Sequence, residues 1–388
     1  MRTRVLGGWR AGRYNGRRSM NRRRFVYSGL AATAGCGRRQ AEAPAGTAYV
    51  ANRAGKAVAA VDLGALAVVR HIALPAEPEA LASHRSHPSV VISLPGAASL
   101  AELNTETLAL GQRVRLPSGA SKLRYAPDGK TLWVLAPETK QLLRLAAGSL
   151  KVEARIALPE TPVDFDLSLE QDWAAVSLGA SGKVALINRA AAKLERVTVL
   201  DGDVGQVRFR KDARWLMAAD RAGRAMVFYH MGAHRVGVRV PLHLRPDHLC
   251  FKPDGGQLFI TGEGLDAVVT LYPYQTEVGS TMLAGRTPSV MAASVIPSYL
   301  FVANTSAGAV TILNVATQKV MGVAQVGRQP GFLAITPNQE YALVLNRESG
   351  DMSVLHIPTL SARRTKAAGL FTQVPVGSEP VAAVVREL

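Results

Sequence analysis

The chain has 388 residues, of which 48% are hydrophobic and only 6% aromatic, so alanine and valine must fill a substantial core. Its formal net charge is +17, but nine of the arginines lie within residues 1–35, which hold no acid, and the remaining +8 is dispersed among acids. Because a nucleic-acid footprint should be clustered, this distribution argues against a nucleic-acid partner.

The N-terminal 36 residues are predicted to be an export signal. Arg22 and Arg23 are followed by one spacer residue, Phe25 and a mildly apolar stretch over residues 27–35. This pattern resembles a twin-arginine export signal, and the apolar stretch is too short to span a bilayer. The resemblance implies folding in the cytoplasm before export. The alternative is an arginine-rich disordered leader, and the true start is either Met1 or Met20.

A predicted lipid attachment site ends this leader. Residues 33–36 read Thr-Ala-Gly-Cys and resemble the lipobox of bacterial lipoproteins, in which Cys36 would be acylated and become the new N-terminus. Thr33 departs from the family, which prefers Leu there. The implied location is the periplasm or the outer cell envelope of a bacterium.

Residues 37–46 are predicted to be a linker, and residues 47–388 a single β-propeller domain. Eight apolar triplets recur there at an unbroken period of 42 residues, centred on Val50, Ile92, Val134, Val176, Ala218, Ile260, Val302 and Val344. A fixed period in the low forties, with several short strands in each unit, is typical of a β-propeller.

The unit from residue 300 to 340 shows four strands. Its apolar runs are four to seven residues long and are bounded by Gly, Pro, Asn or Ser; they span residues 300–304, 310–314, 320–326 and 332–335. No window sustains the spacing of an amphipathic helix. Each repeat therefore predicts a four-stranded antiparallel blade.

The two ends of the repeat region predict how the ring closes. The first strand is expected at Ala48 to Asn52, and the last at Pro380 to Arg386, which matches the innermost strands of other units. The last strand should complete the first sheet, and the count predicts eight blades. A seven-bladed ring is the alternative, but it leaves one unit of 42 residues unplaced.

Several motifs resemble the YVTN family of bacterial β-propellers. They include Ala48 to Asn52, Leu300 to Asn304, the turn from Val326 to Pro330, and the Pro-Asp-Gly turns at Pro127 and Pro253. The likeness covers residues 47–388 and implies an exported propeller used for binding. Related propellers include lactonases, streptogramin lyases and the haem domain of cytochrome nitrite reductases. Eight blades depart from the usual seven and favour the last of these, but the chain has no Cys-x-x-Cys-His motif.

Polar residues are predicted to line half of the central channel. The repeat register places residues two and four positions into each inner strand on the channel face, with apolar residues between them. Four adjacent blades carry the polar pairs Lys122/Arg124, Asp164/Asp166, Gln206/Arg208 and His248/Cys250. The other four blades carry the small or apolar pairs Ala80/Ala82, Val290/Ala292, Phe332/Ala334 and Ala382/Val384.

Two interpretations of the polar arc remain open. Asp166 can bridge Arg124 and Arg208 in an ion-pair ladder between blades, since charge near the axis is costly unless paired. Alternatively, Lys122, Arg124 and Arg208 bind a small anionic or bipolar ligand against the apolar arc, with Asp164, Asp166 and His248 beside it.

Charged residues are also predicted at the channel rim. The loops that enter the inner strands carry Glu77, Glu160 and Glu379 on some blades, and Arg245, Arg286 and Arg328 on others. Arg286 and Arg328 occupy equivalent positions on adjacent blades, a spacing suited to a carboxylate or a phosphate. Solvated surface charges are the alternative.

Metal and disulfide chemistry find little support. Cys36 and Cys250 are the only cysteines, and Cys36 belongs to the leader, so no disulfide is expected. His84 and His87 lack a third ligand nearby. His248 with Cys250 is the best candidate for a metal ligand or a nucleophile, but an ordinary buried cysteine is the favoured interpretation. We predict no metal site and no cofactor.

The sequence thus predicts an exported, lipid-anchored binding or interaction scaffold. The expected partner is a small molecule or an envelope protein, membrane contact comes only through the lipid anchor, and the protein should be a monomer. The alternatives are a propeller enzyme resembling lactonases or lyases, using His248 or the pair Asp164/Asp166 as acid–base groups, and a carrier of haem or metal. No residue is assigned as catalytic.

Overall fold

The short apolar runs of the sequence form strands throughout the described part of the chain. The computed structural model describes residues 46–360 and 369–387, and within them there are 32 strands and three single-turn 3₁₀ helices. The predicted leader, with Arg22, Arg23, Phe25 and Cys36, lies outside the described residues. None of the helices in the described ranges is long and apolar enough to span a membrane.

The strands of the first half of the chain are short and evenly spaced. They are β1 (Thr47–Asn52), β2 (Ala57–Asp62), β3 (Ala67–Ala73), β4 (Leu81–Ser83), β5 (Ser89–Leu94), β6 (Ser99–Asn104), β7 (Leu110–Arg115), β8 (Lys122–Tyr125), β9 (Thr131–Ala136), β10 (Gln141–Ala146), β11 (Val152–Ala157), β12 (Asp164–Leu167), β13 (Trp173–Ser177), β14 (Lys183–Asn188), β15 (Lys193–Val199) and β16 (Val204–Phe209).

The second half continues the same pattern. Its strands are β17 (Trp215–Asp220), β18 (Ala225–His230), β19 (Arg235–Pro241), β20 (His248–Phe251), β21 (Leu258–Thr261), β22 (Ala267–Tyr272), β23 (Glu277–Leu283), β24 (Pro288–Ala293), β25 (Tyr299–Asn304), β26 (Ala309–Asn314), β27 (Lys319–Gln325), β28 (Pro330–Ile335), β29 (Tyr341–Asn346), β30 (Asp351–His356), β31 (Leu370–Pro375) and β32 (Pro380–Arg386). The 3₁₀ helices are Pro95–Ala97, Thr305–Ala307 and Ile357–Thr359.

The strands form eight antiparallel sheets of four strands each, and the eight-bladed prediction is confirmed. Blade 1 contains β32, β1, β2 and β3, and blades 2 to 8 each take the next four strands in order. Thr47 pairs with Arg386 and Ala51 with Ala382, so the last strand completes the first sheet as expected. This pairing joins the two ends of the propeller without a covalent bond.

The core consists of eight apolar clusters, one at each interface between neighbouring blades. Alternate residues of each central strand pack against the preceding and following blades, because successive side chains of a strand point to opposite faces. Valine, alanine and leucine predominate, which explains how the fold does without many aromatic residues. The core is therefore continuous around the ring.

Four inner strands begin later than predicted. In blades 2, 3, 4 and 6 they start at Leu81, Lys122, Asp164 and His248. The repeat register places these starts two or three residues earlier, at Pro78, Ala120, Pro162 and Pro246. The inner strands of the other four blades start at the expected residue, three of them at a proline, so the proline itself does not delay the strand. The register along each strand is unaffected.

Candidate functional site

The inner strands of blades 3 to 6 place a polar arc on the channel. The residues between the polar positions are largely buried in the blade interfaces, as the alternation requires; they are Leu123, Phe165, Leu167, Val207, Phe209 and Leu249. The polar residues therefore face the axis, and their pairing determines which charges remain available.

Asp164 is the centre of the strongest ion-pair network. Its side chain is only 1% exposed, Lys122 Nζ lies 2.6 Å from Oδ1, and Arg208 Nη1 lies 2.6 Å from Oδ2. Burial raises the pKa of Asp164, but the charges of Arg208, Lys122 and Arg124 outweigh burial and hold the pKa at about 2. Asp164 is therefore ionised and bridges two cations from the blades on either side.

Asp166 makes a weaker set of contacts than the sequence suggested. Arg124 Nη1 donates to Oδ1 at 3.0 Å, and the backbone N–H of Phe209 donates to Oδ2 at 2.9 Å. Burial is the largest influence on Asp166 and raises the pKa of its carboxyl above the ordinary value. No ion pair within 4 Å joins Asp166 to Arg208 in the described part of the chain.

The predicted ladder was therefore wrong about its bridging acid, which is Asp164 and not Asp166. Arg208 leans back along its own strand, where Nη2 donates to Gln206 Oε1 at 3.0 Å and Nη1 donates to the carbonyl of Val207. A long arginine side chain spans more than the rise of one strand residue, about 3.3 Å. Its guanidinium consequently reaches the level of Asp164.

The polar arc also supplies hydrogen-bond acceptors to backbone N–H groups at the free edge of the inner strands. An inner strand has only one neighbouring strand within its sheet, so the backbone N–H groups on its other edge need acceptors. Side chains of the preceding blade supply them at a constant offset of 43 residues: Val207 N donates to Asp164 Oδ2 (3.2 Å), Phe209 N to Asp166 Oδ2 (2.9 Å), and Leu249 N to Gln206 Oε1 (3.1 Å). Much of the arc is thus structural.

His248 and Cys250 continue the arc in blade 6. Burial lowers the pKa of His248, Asp247 opposes this, and Lys122 adds to it, so the imidazole is neutral at pH 7. Burial raises the pKa of Cys250 to about 12, which keeps its thiol protonated. Within the described ranges, no group of three or more His, Cys, Asp or Glu residues could hold a metal ion.

His84 has a structural role that accounts for both ring nitrogens. Nδ1 accepts the backbone N–H groups of Ser86 and His87, so Nε2 carries the hydrogen and donates to the carbonyl of Gly129 at 2.8 Å. Gly129 belongs to the next blade. His84 therefore ties two blades together.

A cavity of about 520 Å³ opens where the inner strands of blades 2 to 6 end. This volume is typical of small-molecule sites. Its charged lining residues are Arg85, Arg124, Arg208, Arg210, Lys211 and Asp166, and its apolar ones include Leu81, Leu123, Leu167, Leu169, Phe209 and Phe251. We call this the mouth cavity.

Two cations of the mouth cavity are unpaired. Arg208 is held by Asp164, and Arg210 is held by both carboxylate oxygens of Asp212. Arg85 and Lys211 are exposed, and neither has an acidic partner within 4 Å among the described residues. The mouth cavity therefore presents net positive charge to solvent.

The repeat register contained a signal for these two residues that the sequence analysis missed. Seven positions after the expected start of each inner strand stand Arg85, Pro127, Leu169, Lys211, Pro253, Val295, Pro337 and Glu387. Arg85 and Lys211 are the only two cations at this position. The position lies in the turn that follows each inner strand, outside the strand residues from which the channel lining was predicted.

The predicted rim arginines lie at the opposite end of the channel, where the inner strands begin. Arg245 pairs with Asp247 at 3.4 Å and with Glu263 at 3.3 Å, and Arg328 pairs with Glu348 at 3.1 Å. These acids neutralise two of the three rim arginines. Only Arg286 has no acidic partner within 4 Å in the described residues, so the rim lacks the expected cationic pair.

The similarity of this chain to known proteins is limited to solved structures. No family model matches it, and no curated protein matches it significantly. Similar solved structures include the dihydro-haem d1 dehydrogenase NirN in complex with DHE, with a TM-score of 0.72 and 12% identity over 87% of this chain and 74% of that one. Apo AztD from Citrobacter koseri has a TM-score of 0.65 and 9% identity over 88% of this chain and 98% of that one. Hydrazine synthase from Kuenenia stuttgartiensis has a TM-score of 0.58 and 16% identity over 72% of this chain and 95% of that one. At this identity the likeness shows the propeller fold alone.

Proposed function

We propose that this protein is an exported binding propeller that takes a small anionic ligand in the mouth cavity. The observation that carries the proposal is the pair of unpaired cations, Arg85 and Lys211, on the wall of a cavity of ligand size. Unpaired like charges around a concave surface attract and hold an anion.

The contrast with the rest of the polar arc supports this placement. Lys122, Arg208 and Arg210 already meet carboxylates at 2.6 Å, and a ligand would have to compete with those contacts. Arg85 and Lys211 have no ion pair within 4 Å in the described part of the chain that an anion would have to displace. The proposed ligand site is therefore the outer part of the channel, not its centre.

Export, the lipid anchor at Cys36 and membership of the YVTN family are further parts of the proposal. They are supported by the sequence of residues 1–36 and by the repeat motifs. In this setting the ligand comes from outside the cytoplasm, or an envelope protein presents an anionic group to the same cavity. Mass spectrometry of membrane-extracted protein tests the anchor, because it detects acylated Cys36. Cleavage of the export signal without attachment of a lipid would contradict the anchor.

The binding proposal is tested by thermal shift. The full chain is screened against inorganic phosphate and a panel of mono-, di- and tricarboxylates, and at least one should raise the melting temperature. The double variant Arg85→Gln/Lys211→Gln should abolish the shift, whereas Arg70→Gln/Lys193→Gln, which removes exposed cations of outer strands, should retain it. A shift that survives loss of Arg85 and Lys211 would place the site elsewhere.

An enzyme is the second candidate, and one contact favours it. Asp166 and Arg124 meet at 3.0 Å on the wall of the mouth cavity, and burial raises the pKa of Asp166. A carboxyl of raised pKa beside a guanidinium suits general acid–base chemistry on a bound anion. His248 lines a separate cavity of about 330 Å³ and is not part of this pair.

The two candidates differ in their response to Asp166→Asn. If the protein is an enzyme, this variant should retain binding of the anion identified by thermal shift but lose its conversion, followed by mass spectrometry. An unchanged ligand after prolonged incubation with the wild-type chain would leave binding as the function. An absorption spectrum of natively exported protein tests the haem alternative in the same preparation.

A further inference from the structure

Four residues occupy one equivalent position of the repeat around the mouth cavity, and two cations flank two apolar residues there. Arg85 of blade 2 and Lys211 of blade 5 are the cations, and Pro127 of blade 3 and Leu169 of blade 4 lie between them. All four line the same cavity. Because the blades follow one another around the ring, the two cations are separated by two whole blades with apolar tips.

The two arginines on the cavity floor between these cations already have acidic partners. The guanidinium of Arg124 is paired with Asp166, and Arg208 is paired with Asp164. An anionic group placed over the floor would meet the carboxylate of Asp166 as well as Arg124. Anionic groups are therefore favoured at the two edges of the cavity and not over its middle.

Apolar side chains line the cavity between the two cations, beside these ion pairs. Leu167 and Phe209 form part of its wall, and Leu169 projects from its turn with 66% of its surface exposed. Covering the exposed leucine with an apolar ligand would remove apolar surface from water, which favours binding. The exposed Leu169 thus fits a hydrocarbon or aromatic ligand body.

From this arrangement we infer that the ligand is an amphipathic dianion, with two anionic groups separated by an apolar body. One group meets Arg85, the other meets Lys211, and the body covers Leu169 and Pro127. The inference rests on the proposed function and adds the number of charges and the chemistry between them. Carboxylate and phosphate end groups satisfy it equally.

Matched pairs of probes test the inference by isothermal titration calorimetry on the full chain. The pairs are octanoate with octanedioate and decanoate with decanedioate, and inorganic phosphate serves as an anion without a body. A hydrogen bond to a charged group contributes about 1.5–3 kcal/mol, so a dianion of fitting length should bind at least about tenfold more tightly than its monoanion. Comparison of the two lengths locates the better separation.

Three variants separate the contributions of the ends and the body. Arg85→Gln or Lys211→Gln alone should reduce the dianion to the affinity of the monoanion, while the monoanion, which can use either cation, changes little. Leu169→Gln should weaken both members of each pair by the same factor. Lys193→Gln, on an outer strand, should change neither.

The outcomes distinguish the inference from the function on which it rests. Equal affinity of monoanion and dianion, both lost in Arg85→Gln/Lys211→Gln, would overturn the dianion and leave the anion site intact. Phosphate binding as tightly as decanedioate, with no effect of Leu169→Gln, would overturn the apolar body alone. No binding of any probe at millimolar concentration would overturn both the inference and the site.

Discussion

Removal of the Asp164 carboxylate is expected to destabilise the propeller more than any other single change in the channel. The side chain is buried, and it accepts from Lys122 Nζ, Arg208 Nη1 and the backbone N–H of Val207. Asp164→Ala leaves Arg208 without an acidic partner within its network and leaves one backbone donor unsatisfied. Removing one partner of a buried ion pair typically costs about 3–5 kcal/mol in the free energy of unfolding.

The lowered pKa of Asp164, which arises from the same contacts, corresponds to a stabilisation of the same order. The pKa lies at about 2 in the folded chain, against an ordinary value of 3.8. This difference corresponds to about 2 kcal/mol of stabilisation of the ionised form by the fold. Because the folded pKa is the lower one, the contribution is complete above pH 3.8 and is lost as the pH falls toward 2.

The assay is urea unfolding of the full chain, followed by tryptophan fluorescence at pH 7. Asp164→Ala should lower the free energy of unfolding by about 3–5 kcal/mol. Asp166→Ala should cost clearly less, because its carboxylate meets one half-exposed guanidinium, and burial already disfavours its ionisation. Asp164→Ala and Arg208→Ala should be non-additive in a double-mutant cycle, with a coupling of about 0.5–3 kcal/mol.

Two results would refute this reasoning. One is equal destabilisation by Asp164→Ala and Asp166→Ala, which would return the bridging role to Asp166. The other is additivity of Asp164→Ala with Arg208→Ala, which would show that the two side chains do not interact. Asp164→Asn measured from pH 7 to pH 3 supplies a further check, since it should remove the part of the acid-induced loss of stability that belongs to this carboxyl.

Three further changes test other parts of the structure. Deleting residues 380–388 removes the strand that closes blade 1 and should lower the melting temperature of the whole ring; a truncated chain that melts like the intact one would contradict the closure. Gly262→Ala should destabilise because its new Cβ would lie 1.7 Å from a carbonyl oxygen, whereas Gly96→Ala, with open space around it, should be neutral in the same melt. In a Cys36→Ser chain, iodoacetamide at pH 8 should alkylate Cys250 far more slowly in buffer than in urea, since burial raises its pKa to about 12; equal rates would contradict that burial.

The sequence alone determined the architecture and the orientation of its inner strands. An unbroken period of 42 residues identifies equivalent positions in all blades, so the blade count and the closing strand follow from it. Strand alternation then predicts which residues face the channel, because a shift of one residue would turn every apolar side chain away from the core. Both arguments depend only on local geometry repeated at a constant interval.

The pairing of charges was decided by the tertiary structure. Lys122, Asp164, Asp166 and Arg208 were all placed in the channel by the register, but the bridging acid depended on the direction in which the long side chain of Arg208 extends. At the rim, Arg245 and Arg328 were equally visible in the sequence, and only the folded chain brings acids to them from other turns.

The unpaired state of Arg85 and Lys211 is likewise a property of the fold. Both occupy an identifiable position of the repeat, yet whether a turn residue meets an acid depends on the turns of neighbouring blades. Ion pairing between residues far apart in the chain is set by distances of a few ångström, because the Coulomb energy falls with separation and solvent screens it. A periodic sequence predicts the scaffold, but the charges that remain free for a ligand are known only from the packed ring.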